Sequence, residues 1–244
     1  MAGLSSLENA YFPREHGAWF MFFVPLFVGL LRFPSGWNVS LALGLAFLFL
    51  SAGGWLRYLR SRFREESALV WGGVFAGAGI LFLLPPLIHT PVLYGFLAVG
   101  ILIALAYARE VLRRRDKTVP AHVAAAFLLS LPYPLLATSS AGTLTAGAWH
   151  GYLLFAALTV GSSLYVKSLI RERRNPTYAW ASHAYHVVVP MAFALVRPTY
   201  ALLFLPALAR DLGTPRSRKI SPAVVGVIEI ANFLAFGILF LLWG

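Results

Sequence analysis

A chain of 244 residues in which 59% are hydrophobic and only 12% charged is not an ordinary soluble domain, where about a quarter of residues carry charge. The absence of cysteine removes disulfides, thiolate metal sites and thiol nucleophiles. A net charge of +11 would suit nucleic acid, but the Lys and Arg residues fall in short clusters between apolar runs, where they face lipid phosphates. Nucleic acid is therefore excluded as a partner and membrane lipid is expected.

The apolar runs predict nine membrane-spanning helices in an all-α polytopic fold. In chain order they cover 17–31, 39–56, 68–87, 92–108, 119–137, 148–166, 183–196, 199–209 and 224–243. Residues 1–16 read as a short tail and 17–244 as a single transmembrane domain. The first run lacks a small-residue cleavage site and reads as a span. Only Arg197-Pro198 separates the seventh and eighth runs, so the backbone there is buried in protein or lines a wet cavity. Gly73 and Gly77 predict a small-residue packing face on the third helix, and Pro25, Pro85, Pro86, Pro132, Pro134 and Pro190 predict kinks or breaks.

Alternate loops carry the cations. The tail and the loops after the second, fourth, sixth and eighth spans hold all of the 20 Lys and Arg residues except Arg32 and Arg197. The positive-inside rule then puts those loops and the N-terminus in the cytoplasm, and a bacterial cytoplasmic (inner) membrane is the expected location.

The tail ends in Pro13-Arg14-Glu15-His16-Gly17-Ala18-Trp19, directly before the first span. Pro13 and Trp19 suit a helix start at the membrane interface, whereas three adjacent ionisable residues exceed what anchoring needs. With Pro25 and Gly29 following, the PREHGAW string resembles the YwiC-like membrane proteins, a resemblance that implies no known activity. The nine-helix topology also resembles the UbiA-type prenyltransferases. That resemblance implies aspartate-rich motifs after the second and sixth spans, holding magnesium and a prenyl diphosphate. This chain has only Asp116 and Asp211, neither in those loops. Arg57, Arg60 and Arg64 stand there instead, with Lys167, Arg171 and Arg174 after the sixth span, at spacings that place each set on one helix face. Such stripes could grip a phosphate directly, or serve only as orientation signals.

His183 and His186 read as opening the seventh span on one face, able to share a metal or a proton path or to form ordinary hydrogen bonds. Glu229 is the one acidic residue well inside a predicted span, with Asn232 on the same face. Its expected partner is a cation from the cytoplasmic end, such as Arg14 or Arg57. Together Arg14, Glu15, His16, Arg57, Arg60, Lys167, Arg171, His183, His186, Glu229 and Asn232 define a candidate polar pocket facing the cytoplasm. The leading expectation is a UbiA-like bundle that binds an amphipathic molecule with an anionic head, such as an isoprenoid, a quinone precursor or a lipid. Whether the bundle is an enzyme is left open by the sequence; any activity would not be ordinary aspartate- and magnesium-dependent prenyl transfer, and a divergent UbiA-like transferase is one form it could take. The competing expectations are a small-solute transporter and an accessory subunit of a respiratory membrane complex.

Overall fold

The computed structural model describes residues 12–13, 16–216 and 220–244, the side chain of His16 excepted. Every regular element among them is a helix: α1 (His16–Arg32), α2 (Gly36–Arg60), α3 (Glu66–His89), α4 (Leu93–Leu112), α5 (Val119–Ser130), α6 (Pro132–Ala141), α7 (Ala146–Leu169), α8 (Pro176–Val196), α9 (Pro198–Leu203), α10 (Leu205–Gly213) and α11 (Pro222–Trp243). Seven spans, α5–α6 counted as one, are long and apolar enough to cross a membrane. The shorter apolar α1 and the α9–α10 pair complete the nine passes expected of the described residues. The protein is polytopic.

Local chemistry sets the boundaries. Ser35, Thr145, Asn175 and Ser221 each accept a backbone N–H of the first turn of the helix they cap, and Pro176 and Pro222 follow as first helical residues. The Asn175-Pro176 signal starts α8 well before residue 183, so His183 and His186 do not open the helix. They lie about two turns inside it. Tyr178, Trp180 and the histidines dilute the hydropathy of this stretch and hid its start. The fifth span breaks at Leu131-Pro132 into α5 and α6, as its prolines imply, and the eighth breaks at Phe204. The basic stripes are not continuous helix faces. The α2 helix ends at Arg60 and α7 at Leu169, leaving Arg64, Arg171 and Arg174 in the turns beyond.

Large apolar side chains on the outer surface, Leu195 at 91% exposure among them, meet lipid rather than water. The α6 helix sits inside the bundle, with Pro132 to Ser139 all buried. Phe155, Phe233 and Phe236 pack on one side of it, and Leu41, Leu45 and Phe49 on the other. Asn38 fixes this axis by donating to the carbonyls of Phe33 at 2.7 Å and Leu136 at 3.1 Å.

The tightest helix pair is α2–α3, and its glycines are not those expected. A Cβ on Gly73 or Gly77 would meet nothing within 4 Å. A Cβ on Gly54 would lie 2.6 Å from the Ala68 carbonyl and 2.7 Å from the Gly72 nitrogen, and one on Gly44 would lie 2.9 Å from the Gly79 carbonyl. Gly72 and Gly79, seven residues apart, share the face toward α2, and a one-residue offset turns Gly73 about 100° away from it. Gly54→Ala should therefore destabilise the protein by about 1–3 kcal/mol through overpacking, whereas Gly73→Ala should be close to neutral. Thermal unfolding of the two variants in one detergent checks this ordering.

Candidate functional site

The α9–α10 element returns from Arg197 at one end of the bundle to Arg210 and Asp211 at the other, where α8 begins. Adjacent residues on a helix point about 100° apart, so these two opposite charges reach different partners. Arg210 donates through Nη1 to Glu229 Oε1 on α11 and through Nη2 to His186 Nε2 on α8, the latter at 3.1 Å. Its guanidinium carbon lies 4.0 Å from the centre of the Tyr165 ring on α7. Glu229 also accepts the hydroxyl of Ser162, again from α7.

Asp211 is fully buried and faces the other way. It accepts from Ser182 Oγ at 2.6 Å, from His183 Nδ1 at 2.5 Å and from Arg216 Nη2 in the following turn. Arg216 lies 5.2 Å from the same Tyr165 ring, and Thr214, hydrogen-bonded to Tyr165 at 2.8 Å, caps the arrangement. An arginine can only donate, so Nε2 of His186 must be the bare nitrogen and Nδ1–H donates to the Ser182 carbonyl at 2.8 Å. With His186 in this neutral tautomer, the two guanidiniums and the two carboxylates balance.

The network is tightly packed. A void of only about 10 Å³ adjoins His186 between Gly161, Phe204 and Ala207, room for about one water. Some polar atoms nevertheless stay unused: Arg210 Nε, Arg216 Nε, and both amide atoms of Asn232 are buried without a hydrogen-bond partner. His183 is the exposed edge of the cluster, with about a third of its side chain accessible. No group of three or more His, Asp or Glu side chains among the described residues is arranged to hold a metal ion.

The residues expected at one pocket fall into several groups. His183, His186 and Glu229 come together, with Asn232 one turn along α11. Arg57 pairs with Glu65 at 2.5 Å, and Arg60 with Asp116 at 3.2 Å. Lys167 donates to the Tyr178 hydroxyl at 3.0 Å, and Arg171 is exposed in the turn after α7. Arg14 and Glu15 lie outside the described residues, as does the side chain of His16. Nearby, Trp19 Nε1 donates to the Pro13 carbonyl at 3.0 Å and ties the lead-in to α1.

Glu229 does have a cation from its own end of the bundle, but it is Arg210 rather than Arg14 or Arg57. The cluster also contains Asp211, Arg216, Ser162, Tyr165, Ser182 and Thr214, none of which the sequence reading singled out. One signal was present. Nine acidic residues stand against 20 basic ones, so an acid immediately after Arg210, at the end of an apolar run, is the minority charge where orientation needs only cations.

The family model described as YwiC-like protein matches residues 12–137. The chain is 30% identical to the uncharacterized protein YwiC of Bacillus subtilis, over 96% of this chain and 99% of that one. It is 29% identical to an uncharacterized protein of Haemophilus influenzae, over 93% and 96% respectively. No solved structure matches it.

Removing one member of a buried ion pair leaves the other uncompensated, at a cost of about 3–5 kcal/mol, whereas an exposed pair contributes about 0–1 kcal/mol. Arg210 and Glu229 are 5% and 6% exposed, against 41% for Arg60. Arg210→Ala should therefore lower stability by several kcal/mol, and Arg60→Ala should have a small effect. Denaturant unfolding in mixed micelles measures both.

Proposed function

The chain belongs to the YwiC-like family of multi-pass membrane proteins, and from its geometry we propose that it is a carrier of the bacterial cytoplasmic membrane for a small amphipathic anion, with the Arg210–Glu229 and Asp211–Arg216 network as the lock at its cytoplasmic end. The cargo class is a molecule with an anionic head on an apolar body, of isoprenoid, quinone-precursor or lipid type. The distribution of Lys and Arg supports the orientation.

One observation carries the reading. Two adjacent, opposite charges sit on the second half of a broken helix and are held by side chains of α7, α8 and α11. Discontinuous helices in membrane bundles accompany binding sites and moving parts, because their free backbone ends need a protein or wet surrounding. A network that cancels its own charge in a buried cluster closes that end. Breaking it would let α10 swing at Phe204. The 10 Å³ void beside His186 favours a closed lock over a standing substrate pocket, and so favours a carrier over a transferase.

The chain contains no cysteine, so a single Ala207→Cys on α10, at 2% exposure beside the void, reports opening without background. In inside-out vesicles it should react slowly with a membrane-impermeant maleimide. Adding Glu229→Gln should raise the rate by at least about tenfold, the factor that corresponds to 1.4 kcal/mol. Exchanging the charges, Arg210→Glu with Glu229→Arg, should restore protection. Equal protection with and without Glu229→Gln in folded protein, or no recovery on exchange, overturns the lock.

A further inference from the structure

We infer that the cleft at the end of the bundle far from the charge network binds an organic oxyanion, a carboxylate or phosphate ester on an apolar body, through Arg32, Arg197 and Tyr133. A cavity of about 370 Å³ opens there between the C-terminal ends of α1, α6 and α11, the start of α7 and the α8–α9 junction. That volume lies within the range of small-molecule sites.

Charge makes the case. Of the described Lys and Arg residues only Arg32 and Arg197 stand at this end, where topology has no use for cations, and both line this one cavity. Every Asp and Glu side chain among the described residues belongs to the loops and helix ends on the opposite side or to the network. Arg32 donates instead to the backbone carbonyl of Phe240 at 3.3 Å and to a main-chain oxygen of Gly244 at 2.8 Å, and its Nε–H is left over. The guanidinium carbon of Arg197 rests 5.6 Å from the centre of the Tyr200 ring, with no described acid to meet it. A planar guanidinium with free N–H groups is the donor best matched to a carboxylate or phosphate.

The wall supplies the remaining selectivity. Tyr133 is 3% exposed, and its hydroxyl has no hydrogen-bond partner among the described residues. Its ring lies so close to α7 that a Cβ on Gly151 would sit 1.9 Å from its Cε1, so glycine at 151 is what lets this tyrosine form the wall. Phe33 and Phe240 add apolar surface, which an organic anion would use and a bare inorganic ion would not.

The inference shares its cargo class with the carrier reading, but binding is measured with the lock shut, so either can fail without the other. The whole protein is placed in phosphatidylcholine nanodiscs, and native mass spectrometry reads what it retains from added phosphatidylglycerol or, separately, added decanoate. One anion should be retained per chain. Retention should fall by at least about tenfold in Arg197→Gln, less in Tyr133→Phe, and not at all in Arg113→Gln at the opposite end. Retention of phosphatidylglycerol alone identifies a lipid headgroup as the source, and retention of decanoate a free small anion; both support the site. Retention of neither probe, or equal retention in wild type and Arg197→Gln, overturns it.

Discussion

Neutralisation of charge within a low-dielectric bundle is the constraint on which the second half of this structure depends. Arg210 and Asp211 are neighbours in the chain, so neither can be buried unless partners arrive from two directions. They come from Glu229 on α11 and from Ser182, His183 and His186 on α8, while Tyr165 on α7 provides the aromatic surface between. Each bond fixes a helix rotation as well as a distance. If α8 were turned by one residue, His186 would leave Arg210 and Ser182 would leave Asp211. The cluster acts as a set of keys that admits one arrangement of these helices, at the stability cost that buried ion pairs ordinarily carry.

The first half is held differently. There α2 and α3 approach along glycine backbones, with no charge involved, and the gain is close van der Waals packing. Contacts of this kind lose strength quickly as the helices separate, so the pair behaves as one body. The other side can exchange partners, because a guanidinium released by Glu229 still has unused donors, as has the Asn232 amide.

Much of the fold was legible in the sequence. Apolar runs of membrane length, separated by alternating basic loops, define the passes, and Pro132 and Arg197-Pro198 mark real breaks. The start of α8 was lost because its cap signal, Asn175-Pro176, precedes a stretch of Tyr, Trp and His that hydropathy undervalues. The glycine face was misplaced by one residue because spacing shows which positions share a face but not which face meets a neighbour. At the site, Glu229 stood out as an acid inside a span, and the histidines by their spacing. Asp211 did not, because its one signal, an acid beside Arg210 at the end of an apolar run, does not say that the charge is buried rather than solvated in a loop. Arg57 and Arg60, read as part of a basic stripe, pair with Glu65 and Asp116, partners that helix spacing alone does not indicate.

The position of Glu229 also bears on biogenesis. The α2–α3 hairpin is complete as soon as residue 89 has been synthesised, and its glycine contacts can form as it leaves the insertion machinery. Arg210 enters the bilayer nineteen residues before its carboxylate exists. During that interval its charge is not neutralised by Glu229, and α10 is held more weakly, through His186 on Arg210 and Ser182 and His183 on Asp211. Arrival of α11 therefore converts a loosely inserted chain into a sealed one, and the nascent protein is most exposed to quality-control proteases just before its final helix is threaded.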